Sequence, residues 1–473
     1  MFGFMASVCR PACATRYRLF GLRHTVQRSH VVHAVIRHLD RRNFSNTNGS
    51  AEPGKDDAVA GTGITNVWNA CTVEERKQLL ILLGSSALLN LGFGVIIPAL
   101  PVLSQDLGFG ATGIGVLLAA PSLSRILTNL PAGAVVDKSG RVPAMVAGQL
   151  AAAFGTLGTA FGNSLAAIVL CRFVGGAGAA FGAAGAQAYL YDMTEKSHLR
   201  PFRGVIVGSQ GGLIAVSYVI GPALGGFLTQ LYGPSVAYCV VTGILASVAA
   251  SCSYLPETQP AAQNNLCSSF EAAVNTLQEA VVSWRSLLRE PNQQALVAAN
   301  HALFLNYAAG IAVVPLQAFH SFGTSSGEIG ALFGVGSLIG IGLAPAAGWL
   351  SDRYGRVPLV LPSVVACGIS CVCIGFAPNW ETFVGAYMMW NIGQAILSPA
   401  LLSYAADIAP KEHAGAAMSL SRQSQDVVFL LGPMTLGFVY DLCPGPPAML
   451  LTAGLSLLSG GCFHLLAKEA TRR

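Results

Sequence analysis

Charge is scarce in this 473-residue chain: Asp, Glu, Lys and Arg together make up 10% of it, against about a quarter in an average soluble protein. That shortage excludes a set of water-soluble domains, although the length alone would accommodate two or three. Acids are rarest at the start, where the first forty-two residues hold eight Arg, no Lys and one acid, Asp40. The same tail has no apolar core of the kind a secretory signal needs. The twelve cysteines show no metal-ligand spacing, Cys367, Cys371 and Cys373 being the nearest cluster, so neither a disulfide framework nor a metal site is expected. There is no HExxH, P-loop or nucleophile elbow, and no soluble domain to hold one, so an enzyme is not expected, nor a cofactor. The net charge of +5 arises largely in the tail and does not point to nucleic acid.

What the chain has is apolar length. Apolar residues make up 53% of it, and from residue 78 onward they gather into twelve stretches, near 79–100, 112–134, 143–162, 165–190, 203–230, 235–255, 294–318, 327–349, 357–377, 381–405, 414–440 and 447–467. A helix crossing a hydrocarbon core needs about 20 such residues. Glycine is frequent inside the stretches, which suits membrane helices that pack through small residues. Between them the basic residues are one-sided. Arg76, Lys77, Lys138, Arg141, Lys196, Arg200, Arg353 and Arg356 lie on loops of the N-terminal side, whereas the opposite loops carry Asp106, Glu328, Glu381 and Asp441. This bias places both termini on the inner face and supports the count of twelve, since one span more or fewer would scatter basic residues onto both sides.

The expected division is a basic tail over 1–44, a linker over 45–77, a six-helix bundle over 78–255, a central inner loop over 256–293, a second bundle over 294–467 and a short tail over 468–473. The central loop contains a segment from Ser268 to Leu288 with helical periodicity, read as an amphipathic helix on the inner face. The basic, acid-poor tail looks like an organelle transit peptide, and Arg42-Asn43-Phe44-Ser45 resembles a mitochondrial processing site. A mitochondrial inner membrane is the first expectation for the address, a plastid envelope the second, and a disordered cytosolic tail stands beside them.

Four charged residues fall within the apolar stretches: Arg125, Arg172, Arg422 and Asp426. A charge there is costly unless paired or hydrated, so each is a functional candidate. Arg422 and Asp426 stand four apart on one helix face and could pair directly. One reading is a neutral pair that stabilises the bundle; the other makes Asp426 a proton-carrying group. Arginine does not usefully release a proton, so Arg125 and Arg172 would tune a carboxylate or bind an anion.

The two halves repeat one signature at an offset of 215 residues: Gly133, Asp137, Lys138, Gly140 and Arg141 close the second stretch, and Gly348, Asp352, Arg353, Gly355 and Arg356 close the eighth. Both copies run on into Val-Pro. These residues resemble the loop motif of the major facilitator superfamily, with Val142 and Val357 where that family often has a second basic residue. Arg172, Gly175, Gly176 and Gly178 resemble its fourth-helix motif, with Gly175 where Gln is common. Gly208, Ser217, Gly221, Pro222, Gly225 and Gly226 resemble the antiporter motif of its proton-coupled drug exporters, with Ser217 in place of a usual Gly. Leu255-Pro256-Glu257-Thr258 ends span six in the same manner, and Asn90 stands where some of these exporters place an acid.

The resemblance covers about residues 78–467 and implies an all-α membrane fold of twelve helices in two six-helix pseudo-repeats. It implies a secondary active transporter that moves a small organic solute by alternating access, as a proton-coupled antiporter. An organic-anion transporter is the alternative, since three arginines against Asp426 leave two positive charges in excess, and a non-transporting receptor or scaffold is a third. By resemblance spans one, four, seven and ten line a central cavity, so Asn90, Gln187, Tyr189, Asn306, Tyr307, Gln317, Trp390, Asn391 and Gln394 are the expected substrate contacts. The repeated loop motif is the expected inner gate. Partners would be the solute, protons and the lipid bilayer, with the chain working as a monomer.

Overall fold

A computed structural model of the chain describes residues 64–258, 278, 280–410 and 414–468. The basic tail, its processing-site resemblance and residues 268–277 of the expected amphipathic helix lie outside these.

Among the described residues there is no strand, and the architecture is twelve long helical segments. Spans one to six are Val73–Leu107, Gly110–Ser139, Arg141–Phe161, Leu165–Thr194, Arg203–Tyr232 and Pro234–Cys252. Spans seven to twelve are Pro291–Phe322, Ser326–Tyr354, Val357–Gly375, Trp380–Ile408, Ala414–Leu442 and Pro446–Leu466. Ten are long and apolar enough to cross a membrane; spans ten and eleven are as long but more polar.

Local chemistry sets the boundaries. Span eight opens on a capping box in which Ser325 and Glu328 bond each other's backbone, and Asn379 with Thr382 opens span ten the same way. Between spans two and three, and between eight and nine, the chain reverses at Gly140 (φ 97°) and Gly355 (φ 89°), which a side chain would strain. Span one runs as an α-helix to Ile96, tightens to a 3-10 turn over Ile97–Ala99 and resumes at Leu100; span seven breaks between Ala312 and Val314. The breaks sit at Pro98 and beside Pro315, because proline supplies no amide donor and crowds the preceding turn.

The linker expected over 45–77 needs correction. Ile64–Ala70 is a helix, and span one already starts at Val73, capped by Thr72. Arg76 holds the short helix in place, its Nε donating to the Trp68 carbonyl (2.8 Å) while the guanidinium lies over the Trp68 ring. Composition alone hid this, since seven residues carry too little periodicity to register. Residues 280–287 of the central loop are helical. Their Leu287 packs with Ala417 and Leu420 of span eleven, and Trp284 donates to Ser419 Oγ (3.0 Å).

Small residues set the helix spacing. A Cβ at Gly148 in span three would stand 2.4 Å from the Gly182 nitrogen and 2.6 Å from the Gly178 oxygen of span four. Gly148→Leu therefore should lower the thermal midpoint of the purified protein, since overpacking costs about 1–3 kcal/mol. Gly243→Leu, where nothing stands within 4 Å, should leave it in place. Equal midpoints for the two variants would show that the contact of spans three and four is looser than described.

The halves meet unevenly. On the outer side a Cβ at Gly115 of span two would reach the Pro433 carbonyl of span eleven (2.3 Å), and one at Gly330 of span eight the Pro222 carbonyl of span five (2.3 Å). Asp441, at the outer end of span eleven, accepts from the backbone amides of Ala111 (2.8 Å) and Thr112 (2.7 Å) at the start of span two. Toward the inner ends of spans five and eight, Gly208, Gly212, Gly342 and Gly348 have open space where a side chain would stand. The structure is closed at the end that carries Asp441, the outer side by the loop charges, and open at the end that carries the repeated loops.

Candidate functional site

A cavity of about 860 Å³ lies between the halves, with walls from spans one, two, four and five on one side and seven, eight, ten and eleven on the other. A second cavity of about 450 Å³ sits at the inner ends of spans four, ten and eleven and shares Phe304, Ser398 and Leu402 with the first, so the two form one inward-opening space.

Aromatic rings dominate the larger cavity. Phe93 meets Tyr218 edge-on in the N-terminal half. In the C-terminal half Phe304 contacts Tyr307 and Phe429, while Tyr387 touches Phe333 and stacks on Trp390 (centroids 5.4 Å apart). Trp390 is fixed from behind: its Nε1 donates to Asn306 Oδ1 (3.0 Å), and its ring lies so close to Gly310 that a Cβ there would stand 2.7 Å from it.

The charges are arranged differently from the local pairing the spacing suggests. Asp426 is 4% exposed and accepts from Arg125 Nε (2.8 Å) and Asn129 Nδ2 (2.7 Å), both on span two. Arg125 also donates from Nη2 to Ser122 Oγ (2.9 Å). The carboxylate therefore pairs across the two halves, not along span eleven. Arg422 turns to the inner cavity and donates to Gln187 Oε1 (3.2 Å). The i,i+4 expectation fails because a partner on span two offers two donors at short range, and Arg422 is left on the exposed side of its helix.

Arg172 lines the cavity from span four, and its Nε is buried with no hydrogen-bond partner among the described residues. Its guanidinium lies over the ring of Tyr238 (5.7 Å), itself fully buried. Such a contact is worth about 0.5–2 kcal/mol, less than the several kcal/mol that an uncompensated charge away from water costs. The pair of Arg125 with Asp426 is neutral, so Arg172 gives the cavity a net positive charge.

Of the expected substrate contacts, Asn90, Tyr307, Trp390, Asn391 and Gln394 line the large cavity and Gln187 the inner one. Three do not. Tyr189 is fully buried in a hydrophobic cluster with Met145, Met193 and Val248, inside the N-terminal half. Asn306 is 0% exposed and ties span seven to span twelve through Ser456 Oγ (2.9 Å) as well as holding Trp390. Gln317 is buried and donates to the Ile374 carbonyl at the end of span nine (2.9 Å). Spans one, four, seven and ten each carry cavity-lining residues, but which face of each helix does so is not readable from a pattern apolar all round. Spans two, five, eight and eleven also contribute, through Ser122, Tyr218, Phe333 and Phe429, residues that neither charge nor a motif marks in the sequence. Asn129 was within reach, standing one turn from Arg125.

The repeated loops form matching clusters. Arg141 is buried and ion-paired with Asp137 and with Asp192 at the end of span four (3.2 Å). Arg356 pairs with Asp352 (3.2 Å) and with Asp407 at the end of span ten (3.0 Å). Glu257 caps span three, accepting from the amides of Arg141 (2.9 Å) and Val142 (3.0 Å). Each of these ties lies within one half. In the antiporter motif, Gly221 and Gly225 pack on span one at Leu91 and Val95, and Gly226 on Ser326 of span eight, while a Cβ at Gly208 would meet nothing within 4 Å among the described residues.

A family model described as Major Facilitator Superfamily matches residues 82–313 and 295–473. Multidrug resistance protein 1 of Bacillus subtilis is 22% identical over 391 residues, covering 81% of this chain and 95% of that protein. Quinolone resistance protein NorA of Staphylococcus aureus is 23% identical over 404 residues, 83% of this chain and 97% of its own. Among solved structures, the human organic anion transporter MFSD10 superposes with a TM-score of 0.60 at 19% identity, covering 83% of this chain and all of that one. A peptide transporter of the POT family in complex with sulfate reaches 0.67 at 15% identity, covering 87% and 97%.

Proposed function

Because this chain belongs to the Major Facilitator Superfamily and is a multi-pass membrane transporter, we infer that it moves a small amphipathic organic solute by alternating access in antiport with protons. The observation that carries this reading is the Arg125–Asp426 pair, which bridges the halves on the wall of an aromatic cavity. A proton on Asp426 removes the negative charge that faces Arg125 and frees the halves to rock about that level. In the opposite state the glycine contacts of the outer ends part and the inner ends close. Closure brings the motif loops at Asp137 and Asp352, here tied within their own halves, toward the other half as an inner gate. The bends at Pro98 and Pro315 let spans one and seven follow.

The test is flux in proteoliposomes with amphipathic fluorescent dyes of either charge. An imposed pH gradient should drive dye against its own gradient, and collapsing it with a protonophore should stop the accumulation. Accumulation that survives the protonophore would remove proton coupling; flux no faster than in protein-free vesicles would remove transport.

An organic-anion carrier is the second reading, favoured by Arg172, which no carboxylate neutralises among the described residues. Eight of the described spans wall the cavity, all from one chain, which supports a monomer. The Arg-rich composition of residues 1–44 supports a mitochondrial or plastid membrane as the site of action.

A further inference from the structure

We propose that Arg172 anchors the anionic group of an aromatic monoanion, an inference that rests on the cavity being the solute site. The three intramembrane arginines are not equivalent. Arg125 has its Nε on Asp426 and its Nη2 on Ser122, so its charge is already answered. Arg422 sits at the inner mouth, exposed, with its contact to Gln187. Arg172 alone combines a place on the wall of the large cavity with a buried Nε that meets no acceptor among the described residues. A guanidinium offers a fork of donors that matches a carboxylate or sulfonate, and one anion on its cavity side would answer a charge that no carboxylate among the described residues neutralises.

The walls define the rest of the ligand. Phe93 and Tyr218 lie on the side of Arg172, and Tyr307, Phe333, Tyr387 and Trp390 face them from the other half. A volume of about 860 Å³ is that of a site for a drug-sized molecule, and ring walls favour a flat aromatic body. Arg172 is the one guanidinium on the wall of the large cavity, among the described residues, that no carboxylate answers, which sets the charge there at one. An organic cation finds no free acid among the described residues of the cavity, because both oxygens of Asp426 are engaged.

Binding of two probes that share a ring system and differ in charge, pyrenebutyrate and pyrenebutylammonium, tests this on the full chain in nanodiscs, by equilibrium dialysis against empty nanodiscs. Pyrenebutyrate should bind the unaltered protein at least about tenfold more tightly than the ammonium probe. Arg172→Gln should weaken pyrenebutyrate by about tenfold or more and leave the neutral pyrenebutanol unchanged, while Arg172→Lys should restore most of the loss. Equal binding of anion and cation, preference for the cation, or binding of neither by the unaltered protein overturns the proposal, and that comparison needs no variant. Trp390→Ala separates the layers. It should weaken anion and neutral probe together; if it weakens neither, the cavity is not the site and the reading beneath the proposal falls as well.

Discussion

Asp426→Asn protein should lose uphill transport driven by a pH gradient, down to the rate of protein-free vesicles, while solute-for-solute exchange stays within about threefold of the unaltered protein. The asymmetry follows from the site. An amide keeps one acceptor oxygen for Arg125 Nε (2.8 Å in the native pair), and Asn129 can turn its own amide to present oxygen instead of nitrogen to the new NH2 group. The cavity keeps its shape, but the side chain no longer exchanges a proton, so solute can cross and cannot be driven. Asp426→Ala should behave differently. It strands the Arg125 charge, whose side chain is 31% exposed, so the cost falls below the ~3–5 kcal/mol of a fully buried pair broken from one side and should appear as reduced recovery of folded protein. Parallel measurements of counterflow and gradient-driven uptake with one dye decide the matter. An Asn variant that still concentrates dye would take the coupling role away from Asp426.

Gly330→Val should hold the transporter open to the outside and reduce turnover by about a hundredfold. A Cβ at Gly330 would stand 2.3 Å from the Pro222 carbonyl and 3.1 Å from the Gly226 Cα, so the obstruction is backbone in the other half and cannot swing away. About 2.8 kcal/mol against outer closure would move the equilibrium a hundredfold, and overpacking of this kind reaches that size. Ile97 reports the change, since it lines the cavity and is 5% exposed here. In sealed vesicles of protein from which the exposed Cys373, Cys443 and Cys462 have been removed, an Ile97→Cys probe should react with an impermeant thiol reagent from outside when Gly330→Val is present, and scarcely when it is absent. Gly385→Val, at a position with open space, should change neither labelling nor turnover. Unaltered labelling in the Gly330 variant would mean that spans five and eight do not form the outer closure. Asp441→Ala should act in the same direction but less strongly, through the two backbone bonds that it gives up at the start of span two.

Different parts of this molecule were legible to different degrees. Spans were readable because a bilayer imposes a rule along the chain: about 20 apolar residues, then a loop whose basic residues stay on one side. Even the two most polar spans, ten and eleven, came out of that pattern, and they carry Trp390, Gln394 and Asp426. The repeated loop motif was readable because its ties are short in sequence, Arg141 to Asp137 and Arg356 to Asp352 each spanning one helical turn. Cavity residues were half legible. Tyr189 and Tyr307 stand on helices of similar composition, and one is sealed inside its own half while the other faces the opening.

The sequence by itself determined the number of crossings, the duplicated plan, the side on which the loops lie and the identity of the intramembrane charges, because the transfer of each residue into lipid is a property of that residue and its near neighbours. Only the tertiary structure decided which charge meets which. Asp426 takes Arg125 from 301 positions away over Arg422 one turn behind it, and Arg172 meets no counter-charge among the described residues. Pairing of this kind depends on which helix faces the packing of glycines brings together, a property of two surfaces that no segment of one chain carries alone.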